Sequence, residues 1–122
     1  MHDVAIVGGG LAGTAAALTL AQQGANVGLI ERQPAAVMAA EDLDGRTTAI
    51  AAGARAMLER LGLWQTLEPQ AEPIWDIRVS DRQSLLHLHF AHQNVGDQPM
   101  GHIVENFRLR RALLDAVEQE PK

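Results

Sequence analysis

A glycine-rich turn near the amino terminus constrains the fold of this chain more than any other feature. Residues 4–7 form a short apolar run, and Gly8, Gly10 and Gly13 follow it in the spacing G-x-G-x-x-G. The run predicts a parallel strand buried on both faces, and the alanine-rich segment 11–23 predicts a helix. In such a unit the first glycine permits a tight turn, the second leaves room beside the backbone for a pyrophosphate, and the third lets the helix pack closely on the strand.

A second strand and an acidic residue complete this pattern. Gly24 is a natural end for the helix, residues 25–30 predict the second strand, and Glu31 lies 18 residues beyond Gly13. Dinucleotide-binding units place an acidic residue about 20 residues on, where it accepts hydrogen bonds from a ribose hydroxyl. The stretch therefore predicts a βαβ unit that binds a dinucleotide. The alternative is a plain glycine turn with Glu31 facing solvent.

Downstream of this unit the apolar residues change their period. Residues 33–45 predict an acidic loop, and the segment that starts at Thr47 or Thr48 predicts a helix up to Leu61. Apolar and polar residues then alternate at about 74–90, which predicts an antiparallel hairpin with one buried face, part of a substrate-facing layer. A short strand at 101–105 and a helix at 106–119 follow.

Composition excludes several classes of site. The chain has no cysteine, which excludes disulfides and thiolate metal sites and favours a reducing cytoplasm. A net charge of −5 gives no support for a nucleic-acid partner. His87, His89 and His92 lack a clear third and fourth ligand group, so a solvated or cofactor-facing strand surface is favoured over a metal site.

Two groups of arginines have open interpretations. Arg46 follows Gly45 at the entrance to the next predicted helix, where it either reaches back towards the nucleotide or lies in a surface loop. Arg108, Arg110 and Arg111 occupy mixed faces of the last predicted helix. They favour a solvated face with one functional guanidinium over a nucleic-acid patch.

Three segments of the chain resemble the amino-terminal part of the flavoprotein aromatic hydroxylases, the group A monooxygenases. The resemblance is greatest to the 2-polyprenyl-6-methoxyphenol hydroxylase type of ubiquinone biosynthesis. The segments are residues 3–32, residues 44–64 with Asp44-Gly45-Arg46-Thr47-Thr48, and residues 104–114 with Val104-Glu105-Asn106. The first is common to many FAD and NAD proteins, whereas the other two are more specific.

This resemblance implies a Rossmann-like α/β fold with FAD as cofactor. It assigns no catalytic residue within residues 1–122. The cofactor contacts that it implies, together with the glycine pattern, are Gly8, Gly10, Leu11, Ala12, Gly13, Glu31, Arg32, Arg46, Asn106 and Arg110.

The implied activity is an NAD(P)H- and O₂-dependent hydroxylation of a phenolic ubiquinone precursor, with the flavin carrying the chemistry. The family's proteins are longer, and their downstream Gly-Asp flavin motif is absent here, so we expect an incomplete domain at 1–122 that is inactive alone. Two alternatives stay open. One is a non-catalytic nucleotide-binding or assembly module. The other is a different FAD or NAD oxidoreductase, such as an amine oxidase or dehydrogenase, that shares only the glycine motif.

The open strand edges and the family resemblance also predict partners for this chain. Open edges of the two parallel strands predict a homo-oligomer. The resemblance implies an aromatic small-molecule substrate, and a location in the cytoplasm or at the periphery of the inner membrane, alone or with a ubiquinone-synthesising complex. The sequence shows no amphipathic membrane anchor, so any membrane association would come from the family's lipid substrate.

Overall fold

The computed structural model describes residues 1–38, 40 and 45–121. Glu41, Asp42 and Asp44 of the predicted acidic loop lie outside the described residues, as does Lys122. The helices and strands, in chain order, are β1 Val4–Val7, α1 Leu11–Gln22, β2 Val27–Ile30, α2 Ala35–Met38, β3 Thr47–Ala51, α3 Ala52–Arg60, α4 Trp64–Leu67, β4 Glu72–Ile74, β5 Asp76–Ser80, β6 His87–Ala91, β7 Gly101–Glu105 and α5 Asn106–Gln119.

The predicted βαβ unit is present. β1 and β2 pair in parallel, from Val4 opposite Val27 to Val7 opposite Ile30. Gly24 has a φ of 97°, a left-handed conformation that suits glycine, and its N–H donates to the carbonyl of Ala21 at 2.9 Å. The local signals in the sequence therefore place α1 and both strands correctly.

A three-stranded antiparallel sheet follows, in the order β3-β7-β4. Thr47 pairs with Glu105 and Ala51 with Gly101, so the predicted helix start at Thr47 or Thr48 is wrong. The helix begins at Ala52 instead. Residues 47–51 contain β-branched Thr and Ile side chains that suit a strand, and β7 offers them a partner about 50 residues away in sequence, which overrides the helical spacing.

The core lies between this sheet and the helices. Its most buried members include Leu18 of α1, Trp64 of α4, Val104 of β7 and Leu113 of α5. Because Thr48, Ile50, His102 and Val104 lie on the same face of the β3–β7 pair, that face is the one that packs on the helices.

Helices α1 and α5 lie side by side and run in the same direction. Ala21, near the end of α1, and Glu120, just beyond α5, line one small cavity of about 50 Å³ together with Val27 of β2. Since the carboxyl ends of both helices meet there and the two helices pack against each other, we infer that their amino ends lie at the opposite end. That end also holds the glycine turn, because Gly10 immediately precedes α1.

The predicted hairpin forms, but its apolar face is not buried. Ile77 pairs with Phe90 and Val79 with Leu88, and Val79 and Leu88 are 52% and 64% exposed. β1 departs from expectation in the same way, since Val7 is 83% exposed. Alternation identifies the face that is suited to burial, and within the described residues no element packs over it.

Candidate functional site

The glycine turn has the geometry that its sequence predicts. Gly8 has a φ of 105°, and its N–H donates to the carbonyl of Ile30 at 2.8 Å. A Cβ added at Gly13 would overlap the carbonyl oxygen of Gly8 and lie 3.0 Å from its carbonyl carbon. A Cβ added at Gly10 would meet nothing within 4 Å. The first glycine therefore permits the left-handed turn, the third allows α1 to pack closely on it, and the second leaves one side of the turn open.

Glu31 is held against this turn by backbone groups. Its Oε2 accepts the N–H of Gly9 at 2.7 Å, and its Oε1 accepts the N–H of Gln33 at 2.8 Å. These two backbone hydrogen bonds favour the ionised carboxylate and hold the pKa of Glu31 below its ordinary value of 4.5. The bond from Gln33 has the larger effect and the bond from Gly9 the next. Each carboxylate oxygen retains a second lone pair, so Glu31 stays ionised and can still accept a ribose hydroxyl.

Two residues that shape the turn, Gly9 and Thr14, are not among the predicted cofactor contacts. A Cβ at Gly9 would lie 2.9 Å from the Cβ of Glu31, so this position needs a glycine although it is an x in the motif. The hydroxyl of buried Thr14 donates to the carbonyl of Gly9 at 2.8 Å. The sequence feature that could have indicated this role for Thr14 is its place in the first turn of a predicted helix, where Ser and Thr side chains often bond nearby backbone groups.

The amino end of α1 offers backbone donors to this open side. The N–H of Thr14 makes the helix's first bond, to the carbonyl of Gly10 at 2.9 Å. The N–H groups of Leu11, Ala12 and Gly13 precede that bond and have no acceptor within the helix. Such donors, together with the helix dipole, favour a phosphate group.

Arg46 and Asn106 meet at a second part of the site. The backbone N–H of Asn106 donates to the carbonyl of Arg46 at 2.9 Å. The hydroxyl of Thr48 donates to Oδ1 of Asn106. These bonds join the segment before β3, and β3 itself, to the first residue of α5. The side chain of Arg46 is exposed, as is that of Arg32 just beyond β2.

Arg110 connects α5 to the segment that follows Glu31. Its Nε donates to the carbonyl of Met38 in α2 at 2.9 Å. Its Nη2 is buried without a hydrogen-bond partner among the residues that the structure describes. A buried guanidinium N–H is costly to leave unpaired, so it fits an anionic or carbonyl acceptor that none of the described residues supplies.

These groups converge because of the packing described above. The amino ends of α1 and α5 lie at the same end of the fold, and the carboxyl ends of β1 and β2 lead to the glycine turn and Glu31. The result is a set of groups that comprises two helix amino ends, the guanidinium groups of Arg32, Arg46 and Arg110, and the carboxylate of Glu31. This combination suits a dinucleotide, whose phosphates need donors and whose ribose needs an acceptor.

Other kinds of site receive less support. In residues 1–38, 40 and 45–121, no group of three or more His, Asp or Glu side chains is placed to hold a metal ion. Nε2 of His89 lies 3.1 Å from Oδ1 of Asp76 on the polar face of the hairpin. Over the same described ranges, no helix has both the length and the apolar character needed to span a membrane.

Comparisons with known proteins identify the dinucleotide. A family model described as an FAD binding domain matches residues 1–121. The ubiquinone hydroxylase UbiL of Rhodospirillum rubrum is 43% identical over 119 residues, which are 98% of this chain and 28% of that protein. The 3-demethoxyubiquinol 3-hydroxylase of Escherichia coli is 35% identical over 122 residues, 98% of this chain and 31% of the relative.

A solved structure shows the same fold. A variant of PqsL from P. aeruginosa superimposes with a TM-score of 0.77 at 23% identity, over 98% of this chain and 31% of that one. The chain thus spans less than a third of the length of the relatives that it matches. Because the family model extends over nearly all of its residues, the chain belongs to the FAD-binding domain family, and FAD is its cofactor.

Proposed function

We propose that this chain is the FAD-binding portion of an NAD(P)H- and O₂-dependent monooxygenase that hydroxylates a phenolic ubiquinone precursor. The proposal is supported chiefly by the Glu31 carboxylate held against the glycine turn, together with the bond between Arg46 and Asn106 at the amino end of α5. The names of the curated relatives, which are ubiquinone hydroxylases, supply the reaction class.

Each residue group has a binding role in this proposal. The turn at Gly8, Gly10 and Gly13 and the N–H groups of Leu11 and Ala12 hold the pyrophosphate, and Glu31 accepts the adenosine ribose. The remaining contacts to the cofactor come from Arg32, Arg46, Asn106 and Arg110. Bound FAD supplies the redox chemistry, taking electrons from NAD(P)H for the activation of O₂. The residues of this chain bind and orient the cofactor.

The hairpin has a separate role in this proposal. Ile77, Val79, Leu88 and Phe90 share one face and are between 40% and 64% exposed. An apolar face of this extent suits an aromatic substrate or the elements that enclose it. We therefore assign the hairpin, at about 74–90, to the substrate-facing layer of the complete enzyme.

We also propose that the chain forms a homo-oligomer. Among the described residues, β1 and β2 pair only with each other, and each has one unpaired edge. Val7 and Ile30 are 83% and 56% exposed on these strands. Open edges of this kind pair readily with another strand. Light scattering should give a mass above that of one chain, and a monomer over the whole concentration range would contradict this part of the proposal.

A location in the cytoplasm, at the periphery of the membrane, completes the proposal. The printed names of the relatives refer to ubiquinone and demethoxyubiquinol, and the absence of cysteine suits a reducing compartment. Cell fractionation tests it: the protein should leave the membrane fraction in a high-salt or carbonate wash. Retention after such a wash would contradict a peripheral location.

The reaction class is tested with a chimera. Residues 1–121 replace the matching segment of the Rhodospirillum rubrum UbiL, and the purified chimera is assayed for bound flavin and for hydroxylation with NAD(P)H and O₂. Bound flavin with restored product formation supports the proposal. Bound flavin without turnover would favour a non-catalytic module, and loss of flavin from a folded chimera would reject the FAD role of these residues.

A further inference from the structure

We infer that Thr48 positions the Asn106 carboxamide so that its Nδ2 amide group is directed at an acceptor oxygen of FAD. The inference rests on the proposed function, since it concerns the same site. It adds a residue that neither the glycine pattern nor the predicted contacts include. Thr48 acts through Asn106 and is therefore a positioning residue.

The hydrogen bonds around Asn106 leave one part of its side chain for a ligand. Its backbone N–H is taken by the carbonyl of Arg46 at 2.9 Å, and its Oδ1 accepts the hydroxyl of Thr48. An Asn side chain has an acceptor oxygen and an NH₂ donor on opposite branches of one planar group. With the oxygen held by Thr48, the donor branch is the one presented elsewhere.

The charge of a bound anionic cofactor would favour the same orientation. Asn106 is the first residue of α5, a helix of 14 residues whose amino end carries partial positive charge. An anionic cofactor at this end attracts the NH₂ group and repels a carboxamide oxygen. A hydroxyl can donate or accept, so the bond to Thr48 holds the carboxamide in place, and the negative charge of the cofactor selects the orientation in which Nδ2 faces it.

The backbone around Thr48 makes the arrangement rigid. Thr48 pairs with Val104 in the β3–β7 ladder, and Asn106 follows directly after that ladder ends. The neighbouring residue Thr47 pairs with Glu105 and faces the other side of the sheet. Thr47 therefore provides a matched control, with the same side chain in the same strand and without the bond to Asn106.

The test compares FAD affinity in purified chains by fluorescence titration. Thr48→Val keeps the shape of the side chain and removes the hydroxyl, and we expect about five- to tenfold weaker binding. Thr47→Val should bind as the unchanged chain does, and Thr48→Ser should restore most of the affinity. If Thr48→Val does not fold, Thr48→Ala, which removes the hydroxyl and adds no methyl group, should show the same loss.

A double-mutant cycle separates positioning from a general structural role. If Thr48 acts through Asn106, then Thr48→Val combined with Asn106→Ala should bind FAD no more weakly than Asn106→Ala alone. Additive losses, or a Thr48→Val chain with unchanged affinity, would overturn this inference and leave the proposed function intact. An unchanged chain that is folded and has no affinity for FAD would instead overturn the proposed function, and this inference with it.

Discussion

Replacement of Gly13 by alanine should destabilise the chain, although the same change usually stabilises a helix. Replacing a glycine inside a helix by alanine usually stabilises the helix by about 1 kcal/mol. At Gly13 the new Cβ would overlap the carbonyl oxygen of Gly8 and lie 3.0 Å from the carbonyl carbon. Both are backbone atoms, so no side-chain rotation relieves the overlap, and α1 or the glycine turn must move.

The magnitude follows from these two opposing effects. Forcing one extra methyl group into a packed contact costs about 1–3 kcal/mol, and more where the neighbours are rigid. After the gain in helix propensity, we expect a net loss of about 1–2 kcal/mol in the free energy of unfolding. For a chain of this size this corresponds to a fall in Tm of about 4–8 °C. The displaced turn should also weaken FAD binding by about tenfold or more.

Thermal unfolding and FAD titration of the purified chain measure both effects. Gly53→Ala is the matched control, because Gly53 lies in α3 and a Cβ there would meet nothing within 4 Å. That variant should be as stable as the unchanged chain or more so, with the same FAD affinity. If Gly13→Ala instead behaved like Gly53→Ala in both assays, the close packing of α1 on the turn, and its role in forming the site, would be refuted.

Three further predictions concern other parts of the chain. Glu31→Gln should weaken FAD binding several-fold in fluorescence titration, because the carboxylate is lost, while Asp76→Asn in the exposed hairpin should leave it unchanged. Burial, and then the positive charge of Arg55, hold the pKa of His102 below its ordinary value of 6.5, with a smaller opposing effect from Glu68. Since unfolded His102 then binds protons more readily than the folded form, its contribution to stability is complete above about pH 6.5 and falls as the pH is lowered. Urea unfolding at several pH values should show this slope, and it should become shallower in His102→Leu but not in the exposed-hairpin variant His87→Gln. Leu113→Ala should cost about 2–5 kcal/mol, since Leu113 is 2% exposed. Leu88→Ala, at 64% exposed, should change the urea midpoint little, and a large effect there would mean that the hairpin face is covered in solution.

Helix α5 and the strand before it show where local sequence suffices. The predicted helix at 106–119 and strand at 101–105 match the observed α5 and β7. Residues 47–51 show where it does not, because their apolar spacing suits a helix and only pairing with β7 makes them a strand. The hairpin is an intermediate case. Alternation of apolar and polar residues correctly predicted its two strands, but it could not show whether another element packs on the apolar face.

The glycine turn, the acidic residue after β2 and the presence of a dinucleotide site are properties of the sequence itself. They depend on backbone conformations and spacings within one βαβ unit, which local residues determine. The other half of the site was decided only by the tertiary structure. Thr48 meets Asn106 across 58 positions of sequence, and Arg110 meets Met38 across 72. These contacts depend on strand pairing and on the parallel packing of α1 and α5, and no local pattern specifies such long-range partners.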